Sequence, residues 1–239
     1  VSDALRPMSR SRLYEQVLER LRDHVIEGEL RAGDKLPPER ELAQRLGVSR
    51  ASVKQAIVVL EVQGFVEVRH GGGTYLVRDN LDLEPVGRLV ERRRRLPDVL
   101  EARETLETRL AALAAERRSE DDIKAMDAAL RLMAEEIAAG EPGAEGDRRF
   151  HASVTAAARS SLLEEFMHVI AEQITESRNE SLRQPGRPHR SLAQHQRILD
   201  AIAAGDPKAA AAAMRKHVQT VAKVRLLSWD PEDAGITDD

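Results

Sequence analysis

Asp147 and His151 stand four residues apart in the stretch GDRRFHASV, inside an alanine-rich segment whose spacing predicts a helix. Four residues is a little over one helical turn, so the carboxylate and the imidazole lean toward one point. Two further histidines sit on apolar stripes. His195 falls at helical spacing with Leu192, Ile198, Leu199 and Ile202, and His217 with Met214, Val218, Val221 and Val224. Both rings are expected to point inward, where a lone ionisable group is costly unless it is bonded. Each one alone reads most simply as a buried histidine satisfied by a carbonyl or a carboxylate. Together with Asp147 and His151 they make three imidazoles and one carboxylate, a set suited to Zn²⁺, Ni²⁺, Fe²⁺ or Mn²⁺. His168 and His189 have no equivalent placement and stay outside the set. Such a site with open positions can also activate water, but no general base or nucleophile can be singled out to complete a metalloenzyme.

The chain that carries these groups has 239 residues and no cysteine, which excludes disulfide scaffolds and thiolate metal sites. Charged residues reach 33% and aromatics only 3%, and Leu, Ala, Glu and Arg fill the longer segments, a composition that favours helices. The opening VSDALRPMSR has no apolar signal region, and no run approaches the roughly 18 apolar residues of a membrane span. A soluble, cytoplasmic protein without a membrane partner is expected. Residues 1–78 carry 13 Lys/Arg against 11 Asp/Glu, or +2, and the remainder 24 against 30, or −6. A weakly basic head on an acidic body is compatible with a head that binds DNA.

The hydrophobic period predicts the elements. SRLYEQVLERLRDHVIEG reads as a first helix with Leu13, Val17, Leu21 and Val25 in register, and Gly28 stands where a C-cap would. ERELAQRLG gives about two turns, GVS is a break, and Ser49 is a good N-cap for RASVKQAIVVLEVQG, which buries Val53, Ala56, Ile57 and Leu60. The period then changes to two in FVEVRHGGGTYLV, a β-hairpin around a glycine-rich turn. This order is that of a winged helix-turn-helix.

After the polar RDNLDLEP the chain reads as helical throughout, an antiparallel bundle of six or seven helices. Ser119 and Asp122 resemble a capping box, LLEEFMHVIAEQITESR reads as one helix, and QPGRPHR reads as a loop. The fold class expected is mostly α: a winged helix-turn-helix with a small hairpin, then an all-α bundle. The domains are drawn at 1–78, a linker 79–88, a helical domain 89–229, and a disordered acidic tail 230–239.

A helix-turn-helix lays the start of its second helix against base edges in the major groove. Here that places Arg50, Ser52 and Lys54 at the duplex, with Arg50 able to fork onto a guanine. Arg40 in the preceding helix is placed to reach the duplex. The wing tip RHGGGT offers His70 and the bare backbone of Gly71 to a phosphate or the minor groove.

The stretch LPPERELAQRLGVSRASVKQAI followed by QGFVEVRHGGGTYLV resembles the DNA-binding domain of the GntR family of bacterial transcription regulators, over roughly residues 11–78. In that family, positions matching Arg40, Arg50, Lys54, His70 and Gly71 contact operator DNA. Position 54 is often Arg there, and Lys replaces the planar fork by a point charge. The body resembles the FCD domain of the FadR subfamily over about residues 85–227, in EARETLE, DRRFH and the pattern from His195 to His217.

Periodicity alone does not bring three helices together; the resemblance implies it. Positions matching Asp147, His151, His195 and His217 hold a divalent metal in metal-binding members, so one ion per subunit is expected, zinc first, with nickel, iron or manganese as alternatives. An Arg matching Arg103 helps hold a small organic acid beside the metal. Arg103 can instead pair with Glu107 at i+4 as a surface contact of about half a kcal/mol or less. The family often has Asn where this chain has Ser161. The resemblance thus implies a homodimeric repressor that binds a short inverted repeat and responds to a small carboxylate. A regulator without metal that senses an acyl-type effector is the other reading.

Overall fold

The computed structural model describes residues 11–231, and these divide into two compact units. One contains the residues through Glu91 together with those from Ser228, and the other spans Arg92–Leu227. The bundle unit therefore gives up Ser228 and Trp229, which group with the head, and Trp229 is buried there. Most of the acidic tail expected from residue 230 lies outside the described residues.

The head contains α1 (Ser11–Glu27), α2 (Glu39–Leu46) and α3 (Arg50–Val62), then strands β1 (Val66–Arg69) and β2 (Gly73–Leu76). Tyr14, Val17, Leu18, Leu21 and Val25 of α1 pack inward, while Leu13 and Ile26, at the ends of the same stripe, remain exposed. Gly47 ends α2 in the left-handed conformation at φ 65°, and the Ser49 hydroxyl accepts from the Ser52 N–H at 3.1 Å to start α3. The three-residue break between those caps makes the turn of the helix-turn-helix. All four residues expected on the inner face of α3 are at most 2% exposed.

The two strands pair antiparallel from Val66 opposite Leu76 to Arg69 opposite Gly73. Gly71 (φ 71°) and Gly73 (φ 104°) take up the positive φ that the reversal requires. A short segment not expected from the sequence lies along β2: the Leu36 N–H donates to the Thr74 carbonyl and the Leu76 N–H to that of Asp34.

The bundle unit takes α4 (Val86–Arg117) from Arg92 onward, then α5 (Glu120–Ala138), α6 (Ala144–Ala157), α7 (Ser161–Val169), α8 (Ala171–Leu182), α9 (Arg187–Ala204), α10 (Pro207–Val221) and α11 (Arg225–Ser228) as far as Leu227. Its core gathers Ala111, Ala114 and Ala115 of α4, Met126 and Leu130 of α5, Phe150 and Val154 of α6, Ile198 and Ile202 of α9, and Met214 and Val218 of α10. Small residues on α4 let the neighbouring helices approach closely. Among the described residues no helix is long and apolar enough to cross a membrane.

Several boundaries differ from the sequence reading, each for a local reason. The helix α4 begins at Val86 and runs through Pro97, which loses one rung of the helical ladder but does not end it. The predicted single helix from Leu162 breaks at Ile170 into α7 and α8, and α7 buries none of its residues. QPGRPHR is a loop only as far as Gly186, whose φ of 70° turns the chain so that Arg187 and Pro188 open α9. The last long helix stops at Val221.

Candidate metal centre and DNA-reading face

The centre of the bundle unit holds Asp147 and His151 from α6, His195 from α9 and His217 from α10, all at most 3% exposed. One ligand atom from each lies within 4.8 Å of the other three. Two ligands 2.0–2.2 Å from one ion stand at most about 4.4 Å apart, so shifts of a few tenths of an ångström close the set on a cation. The His195 Nε2 is 3.3 Å from the His217 Nε2 and 3.6 Å from Asp147 Oδ1. Phe150 stacks on the His195 ring at 4.6 Å and walls it from the apolar core.

Local geometry explains why these side chains meet. Asp147 and His151 are one turn apart at the start of α6, whose approach to α5 depends on Gly146. A Cβ at that position would stand 2.4 Å from the Met133 backbone nitrogen. On α9 the buried positions Arg187, Ser191, Gln194, His195, Ile198 and Ile202 form one stripe, polar near its start and apolar toward its end.

A second ring of residues orients the imidazoles. Glu107 Oε2 lies 2.7 Å from His151 Nδ1, so the ring carries its proton there and turns the Nε2 lone pair inward. The Gln194 Oε1 does the same for His217 Nδ1 at 3.3 Å, and the Gln194 amide in turn donates to the Thr220 hydroxyl at 3.0 Å. His151 Nε2 and Asp147 Oδ2 are buried and have no hydrogen-bond partner. Orphaned acceptors of this kind, convergent on one point, fit a bound cation.

The electrostatics agree with that chemistry. Burial, then the nearby Arg178, lowers His151 to about 4 despite the opposing pull of Glu107. Burial and Arg178 likewise lower His195 to about 3. His217 is held well below the ordinary histidine range by burial and by the two neighbouring rings. All three are neutral near pH 7, the form that ligates metals. Burial raises the Glu107 carboxyl, but Arg103, His151 and Arg178 outweigh it and hold it well below its usual range.

Arg103 is entirely buried. It does pair with Glu107, at 2.7 Å, but the contact is an interior one and not the surface pair that the i+4 spacing suggested. Its Nη1 donates to the Ser177 hydroxyl at 2.8 Å. Ser161 is exposed at the start of α7. His168 and His189 are exposed and outside the donor set, as expected, although His168 lines a cleft of about 240 Å³ that reaches His151, Thr155 and Arg178.

Glu107, Arg178, Gln194 and Arg187 are site residues that the sequence reading did not find. Only Glu107 had left a trace, as the i+4 neighbour of Arg103.

In the head, Arg40, Arg50, Lys54, His70 and Gly71 are all exposed. Arg50 at the start of α3 makes only a long 3.9 Å approach to Glu39. Ser52 differs from the expectation. It is 8% exposed and its hydroxyl is bonded to that of Ser49 at 2.9 Å, so it closes the cap instead of facing outward.

The model of the bacterial regulatory proteins of the gntR family matches residues 13–76, and that of the FCD domain matches residues 98–220. The chain belongs to the GntR family. It is 34% identical over 208 residues to the HTH-type transcriptional regulator LutR of Bacillus subtilis, covering 84% of this chain and 95% of that protein. It is 33% identical over 240 residues to the Uxu operon transcriptional regulator of Escherichia coli, covering 94% of this chain and 91% of that one. A solved structure described as Streptococcus agalactiae GntR is 29% identical, covers 87% of this chain and 98% of its own, and superposes with a TM-score of 0.46. This GntR-family chain is thus a bacterial transcription regulator with an FCD effector-binding domain, and not an enzyme.

Proposed function

We propose that this regulator is a cytoplasmic, homodimeric repressor that holds one divalent metal per subunit and leaves its operator when a small carboxylate binds there. The observation that carries the reading is the buried convergence of Asp147, His151, His195 and His217, with Glu107 and Gln194 turning two of the rings inward. The donor set of nitrogens and one carboxylate favours zinc, with nickel, iron and manganese compatible. When bound, such an ion supplies a Lewis-acidic centre whose open positions accept a carboxylate oxygen. Arg103 offers the acid a second contact through its buried, unpartnered Nη2. The cleft past His168 and Thr155 is the route of entry.

Two heads related by a twofold axis would meet a short inverted repeat, with Arg50 and Lys54 at base edges and Arg40, His70 and the Gly71 backbone on phosphate or minor groove. Effector binding then needs to bias the molecule by only about 1–3 kcal/mol between its DNA-competent and released arrangements.

Two measurements test this. Elemental analysis of the purified protein is expected to find close to one divalent metal per chain, and His195→Ala to lose both the metal and the effector response. Full occupancy in that variant would contradict the donor set. Arg50→Ala is expected to abolish specific operator binding in a gel-shift assay while thermal stability stays unchanged, because its side chain is 68% exposed and supports nothing beneath it. Unchanged operator affinity would remove Arg50 from the reading face.

A further inference from the structure

Three guanidinium groups surround the donor cluster, and the metal-and-carboxylate reading uses only one. Arg187, at the first turn of α9, is 5% exposed. Its Nε donates to the Ser181 hydroxyl at 2.8 Å and its Nη1 lies 3.4 Å from Gln194 Oε1, the same oxygen that orients His217. Arg187 is therefore two hydrogen-bond lengths from a ligand ring. Ser177 and Ser181, one turn apart on α8, hold Arg103 and Arg187 side by side. Arg178, from the same face, makes only long approaches of 3.5 Å to Glu107 and 3.6 Å to Asp147.

Each of Arg103 and Arg187 leaves its Nη2 buried without an acceptor, and the Ser191 hydroxyl, one turn beyond Arg187, is also buried and unpaired. Two buried cations, Arg103 and Arg187, and the 12% exposed Arg178 face two carboxylates, Glu107 and Asp147, while the nearby Arg92 is already matched by Glu180 at 3.0 Å. A divalent ion deepens the positive excess. Uncompensated buried charge is expensive, and unpaired donors add to the cost.

We propose that Arg187 and Ser191 form a second anionic subsite, so that the effector is a dicarboxylate with one end at the metal and Arg103 and the other on these two groups. The inference rests on the carboxylate reading above and deepens it: a single carboxylate at the metal leaves the Arg187 Nη2 and the Ser191 hydroxyl unmet. Arg178 approaches Glu107 and Asp147, so it stands at the metal end.

The test is calorimetry on the full-length, metal-loaded protein with matched acids. Malate is compared with 2-hydroxybutyrate, and 2-hydroxyglutarate with 2-hydroxyvalerate; each pair differs only in a terminal carboxylate replaced by methyl. In at least one pair the diacid is expected to bind ten-fold or more tightly. Arg187→Met, reloaded to one metal per chain, is expected to bring that ratio close to one. Arg187→Lys, which keeps the charge and loses the fork, is expected to retain a reduced ratio, and it carries the comparison if the Met variant does not fold. Monoacids that bind as tightly as the diacids, or a ratio undiminished in both variants, would overturn the second subsite and leave the metal-site reading intact. No binding by any of the four acids to fully metal-loaded protein would overturn both.

Discussion

Glu107 ties together groups that were read separately in the sequence. It accepts from Arg103 and lies against His151 Nδ1, both buried, and faces the partly exposed Arg178. Removing its charge has two separable consequences. The His151 ring loses the carboxylate that fixes its tautomer, a change that typically lowers metal affinity 10–100-fold. Arg103 and Arg178 also lose their counter-charge, and breaking a buried pair on one side costs about 3–5 kcal/mol. Glu107→Gln is therefore expected to weaken metal binding by one to two orders of magnitude in a competitive chelator titration and to lower the denaturation midpoint. Wild-type metal affinity in that variant would mean that His151 is oriented by something else. The Arg103–Glu107 contact also shows how far environment decides the worth of a pair, since the same spacing on a wet surface contributes a few tenths of a kcal/mol.

The helix α6 carries half of the donor set, and its position is set by the absence of a side chain. Gly146 lets the first turn of α6 press against the α5 backbone at Met133, directly before Asp147. A methyl group there cannot be relieved by a rotamer change, because its neighbours are main-chain atoms. Gly146→Ala is expected to push the two helices apart at a cost of about 1–3 kcal/mol. It should also lower metal affinity, because Asp147 moves with the backbone while His195 and His217 do not. Chemical denaturation and a metal titration on the same sample check both parts; lost stability with unchanged metal affinity would show that α6 moves as a rigid piece with its partners. At the other extreme α7 is held mainly by the partly buried Leu163 and Met167 against Leu110, Leu113 and Ala158, while Leu162, Phe166 and Val169 stay exposed. An element so lightly anchored is the one best able to adjust beside the cleft it lines.

Stability of the whole protein should report the buried histidines through pH. In the unfolded chain each takes up a proton near 6.5, whereas folded His151 does so only near 4 and His195 near 3. Between those values the unfolded state binds more protons than the folded state, so stability falls as pH is lowered. The melting temperature of metal-stripped protein is expected to decline from pH 7 to pH 5. Added metal should raise it by a similar amount at pH 7 and pH 5, because the folded rings are still neutral there and protons do not compete for their nitrogens. A melting temperature independent of pH across that range would mean that the rings are not neutral in the fold.

Local pattern was enough for the helix-turn-helix, the hairpin and the inward turn of His195 and His217. Caps, glycines and a period of 3.6 or 2 act between residues a few positions apart, so Ser49, Gly47 and the Gly71–Gly73 turn are readable from the sequence itself. Asp147, His151, His195 and His217 were legible in the same way, as residue types and spacings on three helices. The break at Ile170 and the passage of α4 through Pro97 were not, because packing of neighbouring helices overrides a local preference of a few kcal/mol. Nor were the partners: Arg103 meets Ser177 across 74 positions, and Gln194 meets His217 across 23. No periodicity links residues that far apart. Only the stacking of α4, α6, α8, α9 and α10 brings them into one dry space, and only burial turns an ordinary arginine into a charge that needs an anion.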